Sequence, residues 1–263
     1  MTPRYLDVFA QAARIWRAER PVLAAVAGIF FFLPQLALLL FLPVPDTSGL
    51  AKEASDAIVS AWIVASLPWL AGLLLAQGYG TALILTLVLD PARPTLGEAM
   101  AKALRSFPKL VLAQAIMFGA IGLVLLVLLV LAQVIMIGGT WLLALVLVPG
   151  FYLVGRLLLT APTVIAEPEL GAVKAVTAAF DRARGRGWWL LMPAMLTIFA
   201  SLFLAGSPHQ LAAAVAPIGP LASFPLELLS AVLASGCSVA LVLIQAVLYR
   251  ALGSATQGPR QGM

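Results

Sequence analysis

The chain alternates between long runs of apolar residues and short polar segments. A helix of about 20 residues crosses the roughly 30 Å hydrocarbon layer of a bilayer, so each long run predicts one membrane-spanning helix. Six runs reach this length: Pro21–Val44, Ile58–Leu89, Phe107–Met136, Trp141–Ala166, Trp188–Ala205 and Phe224–Tyr249. The second and third runs are longer than the bilayer is thick, so we expect these two helices to tilt or to extend beyond it.

Three polar segments carry apolar residues at helical spacing with charged residues on the opposite side. They cover residues 4–19, 95–106 and 171–184, and each precedes a pair of spans. The motif Pro94-Thr95-Leu96-Gly97 at the second segment returns at the third as Pro168-Glu169-Leu170-Gly171. The pattern predicts an all-α polytopic membrane protein of three helical hairpins, each preceded by an amphipathic helix on the inner membrane surface. We expect one six-span domain over residues 1–252 and a flexible tail over 253–263.

Basic residues concentrate in alternate connecting segments, and this predicts the orientation because cytoplasmic loops are rich in lysine and arginine. The segments on one side carry Arg4, Arg14, Arg17, Arg20, Arg93, Lys102, Arg105, Lys109, Lys174, Arg182, Arg184, Arg186, Arg250 and Arg260. The other side has only Lys52, beside Asp46, Glu53 and Asp56. We therefore expect a multi-pass protein of the bacterial cytoplasmic (inner) membrane, with both termini in the cytoplasm.

Composition supports this interpretation and excludes other classes of protein. Hydrophobic residues make up 62% of the 263 residues and charged residues only 10%, whereas about 25% of a soluble domain is charged. The spans leave no room for a separate soluble catalytic domain. Because the net charge of +5 follows from the basic loops, it predicts attraction to anionic lipid and not binding of nucleic acid.

The chain offers few groups for catalysis or driven transport. It lacks the phosphate-binding loop of ATP-driven pumps, and its carboxylates fall at the ends of the spans, where they cannot couple transport to protons or sodium. We expect His209, the single histidine, to lie in an outer loop, and Cys237 to pack inside the sixth span. The sequence thus predicts no enzyme activity, no cofactor and no metal, and an intramembrane enzyme is the least favoured alternative.

Arg156 is the only basic residue well inside a span, and its charge must reach water or find polar partners there. Counted from the inner ends of their spans, Gln114, Gln245 and Thr86 lie at a similar depth. We expect Arg156 to face the interior of the bundle and to meet this polar layer or an anionic lipid headgroup. The alternative is that its side chain extends back to the inner surface.

The segment from Arg156 to Trp188 resembles a known family. Eight positions carry the resemblance: Arg156, Pro162, Glu167, Gly171, Ala175, Phe180, Gly185 and Trp188. In this spacing the segment is similar to a family of membrane domains. The family occurs in some glycerophosphoryl diester phosphodiesterases and in free-standing bacterial membrane proteins. Ala179 departs from the family pattern, in which serine is usual at this position. The phosphodiesterase activity of such proteins belongs to a separate barrel domain with metal ligands, and no such domain is visible in this sequence.

The resemblance and the lack of catalytic groups imply a non-enzymatic membrane protein. We expect it to bind or organise membrane lipids, including anionic phospholipid, or a membrane protein partner at the inner leaflet. A small permease or channel that uses neither ATP nor an obvious coupling ion is the alternative.

Overall fold

The computed structural model describes residues 4–42, 45, 51–134, 140–215 and 219–256. These residues are almost entirely helical, and no strand occurs among them. Six helical stretches are long and apolar enough to cross a membrane: Arg20–Leu38, Lys52–Leu89, Leu96–Leu131, Val148–Ala166, Gly187–Val215 and Ala222–Gly253. The predicted all-α membrane protein with six spans is therefore confirmed.

The helices are numbered in chain order: α1 (Tyr5–Ala18), α2 (Arg20–Ala27), α3 (Leu33–Phe41), α4 (Lys52–Leu89), α5 (Leu96–Val134), α6 (Thr140–Leu157), α7 (Thr160–Ala166), α8 (Ala172–Arg182), α9 (Gly187–Val215) and α10 (Pro220–Thr256). A π-helical turn, Gly28–Phe32, joins α2 to α3. The first span thus consists of α2, this turn and α3, and the fourth consists of α6 and α7.

The π-helical turn has a local cause and a packing partner. Pro34 has no N–H, and in a straight helix its ring would collide with the carbonyl four residues earlier. The helix widens just before it, so that the Leu33 N–H binds the Gly28 carbonyl, five residues back. Gly80 on α4 allows the close approach, since a Cβ there would stand 2.7 Å from atoms of Phe30 and Phe31.

More than half of the largest fully buried side chains lie in the second halves of α4 and α10 and in α7. They include Leu83, Ile84, Leu85, Val164, Ile244 and Leu248. By contrast, many apolar side chains of the spans point outward, and Leu67, Leu74 and Leu126 are each more than half exposed. A contiguous apolar surface of this kind suits lipid rather than water.

The connections at one end of the bundle carry most of the basic residues, and we call this end the basic end. It comprises α1, the connection between α4 and α5, α8 and the end of α10. Tyr5 in α1 stacks on Trp189 in α9 with ring centroids 6.2 Å apart. Arg250 in α10 donates a hydrogen bond to the carbonyl of Val88 in α4. These contacts hold the basic end together, while Lys52 begins α4 at the opposite end.

Two spans are built differently from the prediction. The amphipathic segment 95–106 and the third span form one continuous helix, α5, which runs through Pro108 without a break. The predicted fourth span, in contrast, is interrupted at residues 158–159. Pro162 explains this interruption, because its ring would collide with the Leu158 carbonyl and its missing N–H is harmless in the first turn of a new helix.

The prediction that His209 lies in a loop is wrong. α9 continues through Pro208 to Val215, although Gly206, Ser207 and Pro208 favour turns in water. In a bilayer, a helix provides hydrogen-bond partners for the backbone N–H and C=O groups, which water cannot reach. The Ser207 hydroxyl also donates a hydrogen bond to the Phe203 carbonyl at 2.6 Å.

Helix ends also differ from the predicted limits. α4 begins at Lys52 rather than at Ile58. α10 continues to Thr256, so the predicted flexible tail is helical at its start. The rest of that tail, 257–263, and the predicted span ends at 43–44 and 135–136 lie outside the described residues.

Candidate functional site

A pocket of about 400 Å³ lies at the basic end between α4, α5 and α7, and we call it the basic pocket. Its lining residues are Thr86, Leu89, Asp90, Pro91, Lys102, Arg105, Ser106, Lys109, Ile165, Ala166 and Pro168. The three cations come from α5, where spacings of three and four residues place them on one helix face. Pro168, the first residue of the second Pro-x-Leu-Gly motif, also lines this pocket.

The cations of the basic pocket are only partly compensated. Lys102 Nζ lies 2.7 Å from Asp90 Oδ2, and Lys109 Nζ donates to the Pro168 carbonyl at 2.7 Å. The hydrogen bond from Lys102, aided by the Ala92 N–H, lowers the pKa of Asp90 below its usual value. Arg105 is exposed and has no ion pair with any described residue. Three cations therefore face a single carboxylate.

The remaining lining of the basic pocket is largely apolar. Leu89 ends α4, and Ile165 and Ala166 end α7, so the apolar ends of two spans meet the charged face of α5. An anionic group held by Arg105 and Lys102 would thus have apolar surface beside it. This combination suits an anion attached to a hydrocarbon chain.

Arg156 lies at a different place, against the end of α8. Its Nη2 donates to the Phe180 carbonyl at 2.7 Å, and its guanidinium carbon stands 3.4 Å from the centre of the Phe180 ring. Carbonyls in the last turn of a helix have no partner within the helix and favour a cation. Gly187 makes room for this arrangement, because a Cβ there would approach Arg156 Cγ to 3.0 Å. The side chain therefore joins α6 to α8.

A second polar cluster links α7, α8 and α10. Arg182 forms two contacts with the Glu167 carboxylate, at 2.6 Å and 2.7 Å, and the Tyr249 hydroxyl donates to the same carboxylate. The Arg182 hydrogen bond lowers the pKa of Glu167 although partial burial opposes this, and Glu167 in turn raises the pKa of Arg182. Two parallel hydrogen bonds between a guanidinium and a carboxylate fix the relative orientation of the two side chains and also pair their charges.

The eight motif positions extend from the end of α6 to the start of α9, and several have a structural role. Gly185 has φ of +73°, a conformation that favours glycine. Ala175 is fully buried, and Trp188 packs on Tyr152 with ring centroids 5.8 Å apart. The Arg156–Phe180 contact and the Glu167–Arg182 pair complete the set. The motif thus describes a folded unit at the basic end.

The structure divides the four candidates for the polar layer among three places. Gln114 and Gln245 line a cavity of about 380 Å³ in the middle of the bundle, which we call the middle cavity. Thr86 lines the basic pocket instead and gives its hydroxyl to the Ala82 carbonyl at 2.8 Å. Arg156 lies beside Phe180.

Four further polar residues of the middle cavity were missed by the sequence analysis: Gln77, Thr81, Thr160 and Ser238. Each is a polar residue within an apolar run, which was the available signal. The depth of a residue from the inner end of its span does not indicate which helix faces meet.

Among the residues that the structure describes, no three histidine, cysteine, aspartate or glutamate side chains are grouped as a metal site requires. Comparisons of the chain with known protein families, with curated proteins and with solved structures find no match. The resemblance to the phosphodiesterase membrane-domain family therefore stays a prediction.

Proposed function

We propose that this membrane protein is non-enzymatic, lies in the bacterial cytoplasmic membrane and binds an anionic phospholipid of the inner leaflet in the basic pocket. The observation that carries the proposal is the uncompensated charge there. Lys102, Arg105 and Lys109 line the pocket with Asp90 as the single carboxylate. Each lysine or arginine near an anionic leaflet contributes about 1 kcal/mol of attraction.

The chemistry of the pocket favours a phospholipid over a free anion. The cationic side of the pocket would bind the phosphate, and the apolar residues Leu89 and Ile165 would contact the start of an acyl chain. Arg105 is the residue best suited to the phosphate, because an arginine fork can bind two phosphate oxygens and this one has no competing carboxylate.

The predicted orientation of the protein supports the inner leaflet as the source of the lipid. Lysine and arginine are enriched in cytoplasmic loops of membrane proteins, and the basic end carries most of these residues. The resemblance to the phosphodiesterase membrane-domain family adds support for a non-enzymatic role, since the phosphodiesterase activity there belongs to another domain.

A second function, facilitated passage of a small uncharged solute, is favoured by one observation. The middle cavity places polar groups such as Gln77 and Gln114 between the spans. Transport would require this cavity to connect to both ends of the bundle, whereas lipid binding requires only the basic pocket.

Native mass spectrometry of the protein released from nanodiscs tests the proposed function. The nanodiscs contain equal amounts of phosphatidylglycerol and phosphatidylcholine. We expect the wild-type protein to retain phosphatidylglycerol selectively and Arg105→Gln to retain severalfold less. Arg17→Gln is the matched control, because Arg17 is an exposed arginine of α1 at the same end. Equal retention of the two lipids, or equal loss in both variants, would refute the proposal.

A further inference from the structure

The middle cavity is separate from the basic pocket and lies deeper in the membrane. Thr160 is six residues from the end of α7 at Ala166, and Gln77 is twelve residues from the end of α4 at Leu89. At 1.5 Å per residue these positions are about 9 Å and about 18 Å from the ends of their helices. The cavity therefore extends from the basic half of the bilayer toward its centre.

Two polar atoms in this cavity lack partners. Thr160 Oγ1 and Gln245 Oε1 are buried without a hydrogen bond to any described residue, and Thr160 is only 1% exposed. Buried polar atoms in proteins nearly always have a hydrogen-bond partner. The lack of one at these two atoms therefore indicates that a molecule bound in the cavity supplies it. Because the carbonyl oxygen of a glutamine can only accept, a partner for Gln245 Oε1 must donate.

The composition of the cavity wall restricts the charge of that partner. The described residues that line the cavity include three glutamines, two threonines and a serine among apolar side chains, and none of them is charged. An ion in an apolar region without a counter-charge is strongly disfavoured. The partner is therefore uncharged.

The cavity reaches the outer surface of the bundle at its side. Leu74 on α4 and Phe118 on α5 both line it, and they are 67% and 64% exposed. Their outward surfaces lie within the spans, where the surroundings are lipid tails. A molecule can thus enter between α4 and α5 directly from the bilayer, and such a molecule needs an apolar body.

The volume also favours an organic ligand over a few water molecules. A molecule of liquid water occupies about 30 Å³, whereas the cavity measures about 380 Å³ and most of its wall is apolar. Pockets of about 300 Å³ and above bind small organic molecules in proteins.

From these observations we propose that the middle cavity binds an uncharged amphiphile with a hydroxyl headgroup, which enters sideways from the bilayer. The hydroxyl donates to Gln245 Oε1 and accepts from the Thr160 hydroxyl. The hydrocarbon body lies along Met117, Phe118 and Ile121 toward the opening. The site does not depend on lipid binding in the basic pocket.

Photolabelling of the protein in phosphatidylcholine vesicles tests this inference. The probe is a dodecanol that carries a diazirine on its chain, and the competitors are dodecanol and its methyl ether. The ether has the same chain but no O–H donor. We expect labelling of the α4 and α5 segments around Leu74 and Phe118, with dodecanol competing about tenfold better than the ether, the effect of one lost hydrogen bond. Equal competition, or labelling confined to other segments, would overturn the inference.

Variants add a second measurement. Gln245→Leu should abolish the preference for dodecanol over the ether, because it removes the acceptor of the ligand O–H. Thr160→Val should weaken both competitors alike, since the oxygen of either can accept from the Thr160 hydroxyl, whereas Thr160→Ser, which keeps the hydroxyl, should leave both unchanged. Gln35→Leu is the matched control, because Gln35 lies in the first span and does not line the cavity. An equal loss in Gln35→Leu would overturn the inference. Since the competition between alcohol and ether uses the wild-type protein, it tests the site even where a variant fails to fold.

Discussion

At the scale of single residues, the charged groups near the basic end have different tasks. Arg156 and Arg182 make partly buried contacts with Phe180 and Glu167, so their charges stabilise the fold. Arg105 has no such contact among the described residues, so its charge is available to a ligand. Sequence position alone did not make this distinction, because it depends on where α8 folds back onto α6 and α7.

The Glu167–Arg182 pair predicts a pH dependence of stability. The lowered pKa of Glu167 means that the folded protein binds this proton less readily than the unfolded chain. The stabilisation is therefore complete above the ordinary glutamate pKa of about 4.3 and is lost as the pH falls through the lower pKa of the folded state.

Glu167→Gln should remove this part of the pH dependence. At neutral pH we expect it to cost about 1–2 kcal/mol, because a hydrogen-bonded charge pair is lost. Thermal unfolding in detergent between pH 7 and pH 3 measures both effects. Glu169→Gln, an exposed carboxylate two residues further on, should follow the wild type. Parallel curves for wild type and Glu167→Gln would contradict the assignment.

Arg156 should not tolerate exchange for lysine. Lysine keeps the charge but loses the planar group that lies over the Phe180 ring while donating to its carbonyl. We expect Arg156→Lys to lower the unfolding free energy by about 1 kcal/mol, and Arg184→Lys, at an exposed position, to leave it unchanged. A melting temperature for Arg156→Lys equal to that of the wild type would show that the side chain only extends toward the membrane surface.

At the scale of the helices, close contacts between glycines decide how the fourth and fifth spans cross. A Cβ on Gly155 in α6 would lie 2.5 Å from the Gly187 carbonyl oxygen and 2.8 Å from Leu191 Cβ. Neither is the end of a flexible side chain that could move aside. Small residues allow such approaches between membrane helices.

Gly155→Ala should therefore destabilise the protein by about 1–3 kcal/mol through overpacking. Gly206→Ala is the matched control in α9, since a Cβ there meets nothing within 4 Å. This control should be neutral or stabilising by up to about 1 kcal/mol, because alanine favours helix more than glycine does. Thermal unfolding of the two variants in the same detergent makes the comparison, and equal effects would contradict the proposed crossing.

The elements also show what the sequence can and cannot predict. The six spans follow from hydropathy, since the bilayer permits only helices with satisfied backbones. The break before α7 could have been inferred from Pro162, but Pro108 and Pro208 lie within unbroken helices. Whether a proline interrupts a helix depends on its neighbours in space, and these are not visible in local sequence.

The two candidate sites were likewise predictable from the sequence only in part. The cations of the basic pocket were recognised as a basic segment, but their closeness to the ends of α4 and α7 is a tertiary property. Gln114 and Gln245 both line the middle cavity, whereas Thr86 and Arg156, predicted for the same layer, lie at other places. Thr160 could not be identified from the sequence, because its hydroxyl is buried without a hydrogen-bond partner and this burial depends on how the helices pack.

At the scale of the whole molecule, the basic end should face the cytoplasm. Single cysteines in a Cys237→Ala background test this with a membrane-impermeant thiol reagent applied to intact cells. Ala51→Cys, at the start of α4, should react, whereas Ala101→Cys, exposed on α5 at the basic end, should react only after the membrane is opened. The reverse pattern would contradict the orientation.

An anionic phospholipid bound in the basic pocket should be visible in a density map of the protein. Such a map can be obtained by cryo-electron microscopy of the protein in phosphatidylglycerol nanodiscs, with a bound antibody fragment to aid alignment of so small a particle. We expect phosphate density within about 3 Å of the Arg105 guanidinium, continuous with an acyl chain along Leu89 and Ile165. A pocket without lipid density, with ordered lipid resolved elsewhere around the bundle, would contradict it.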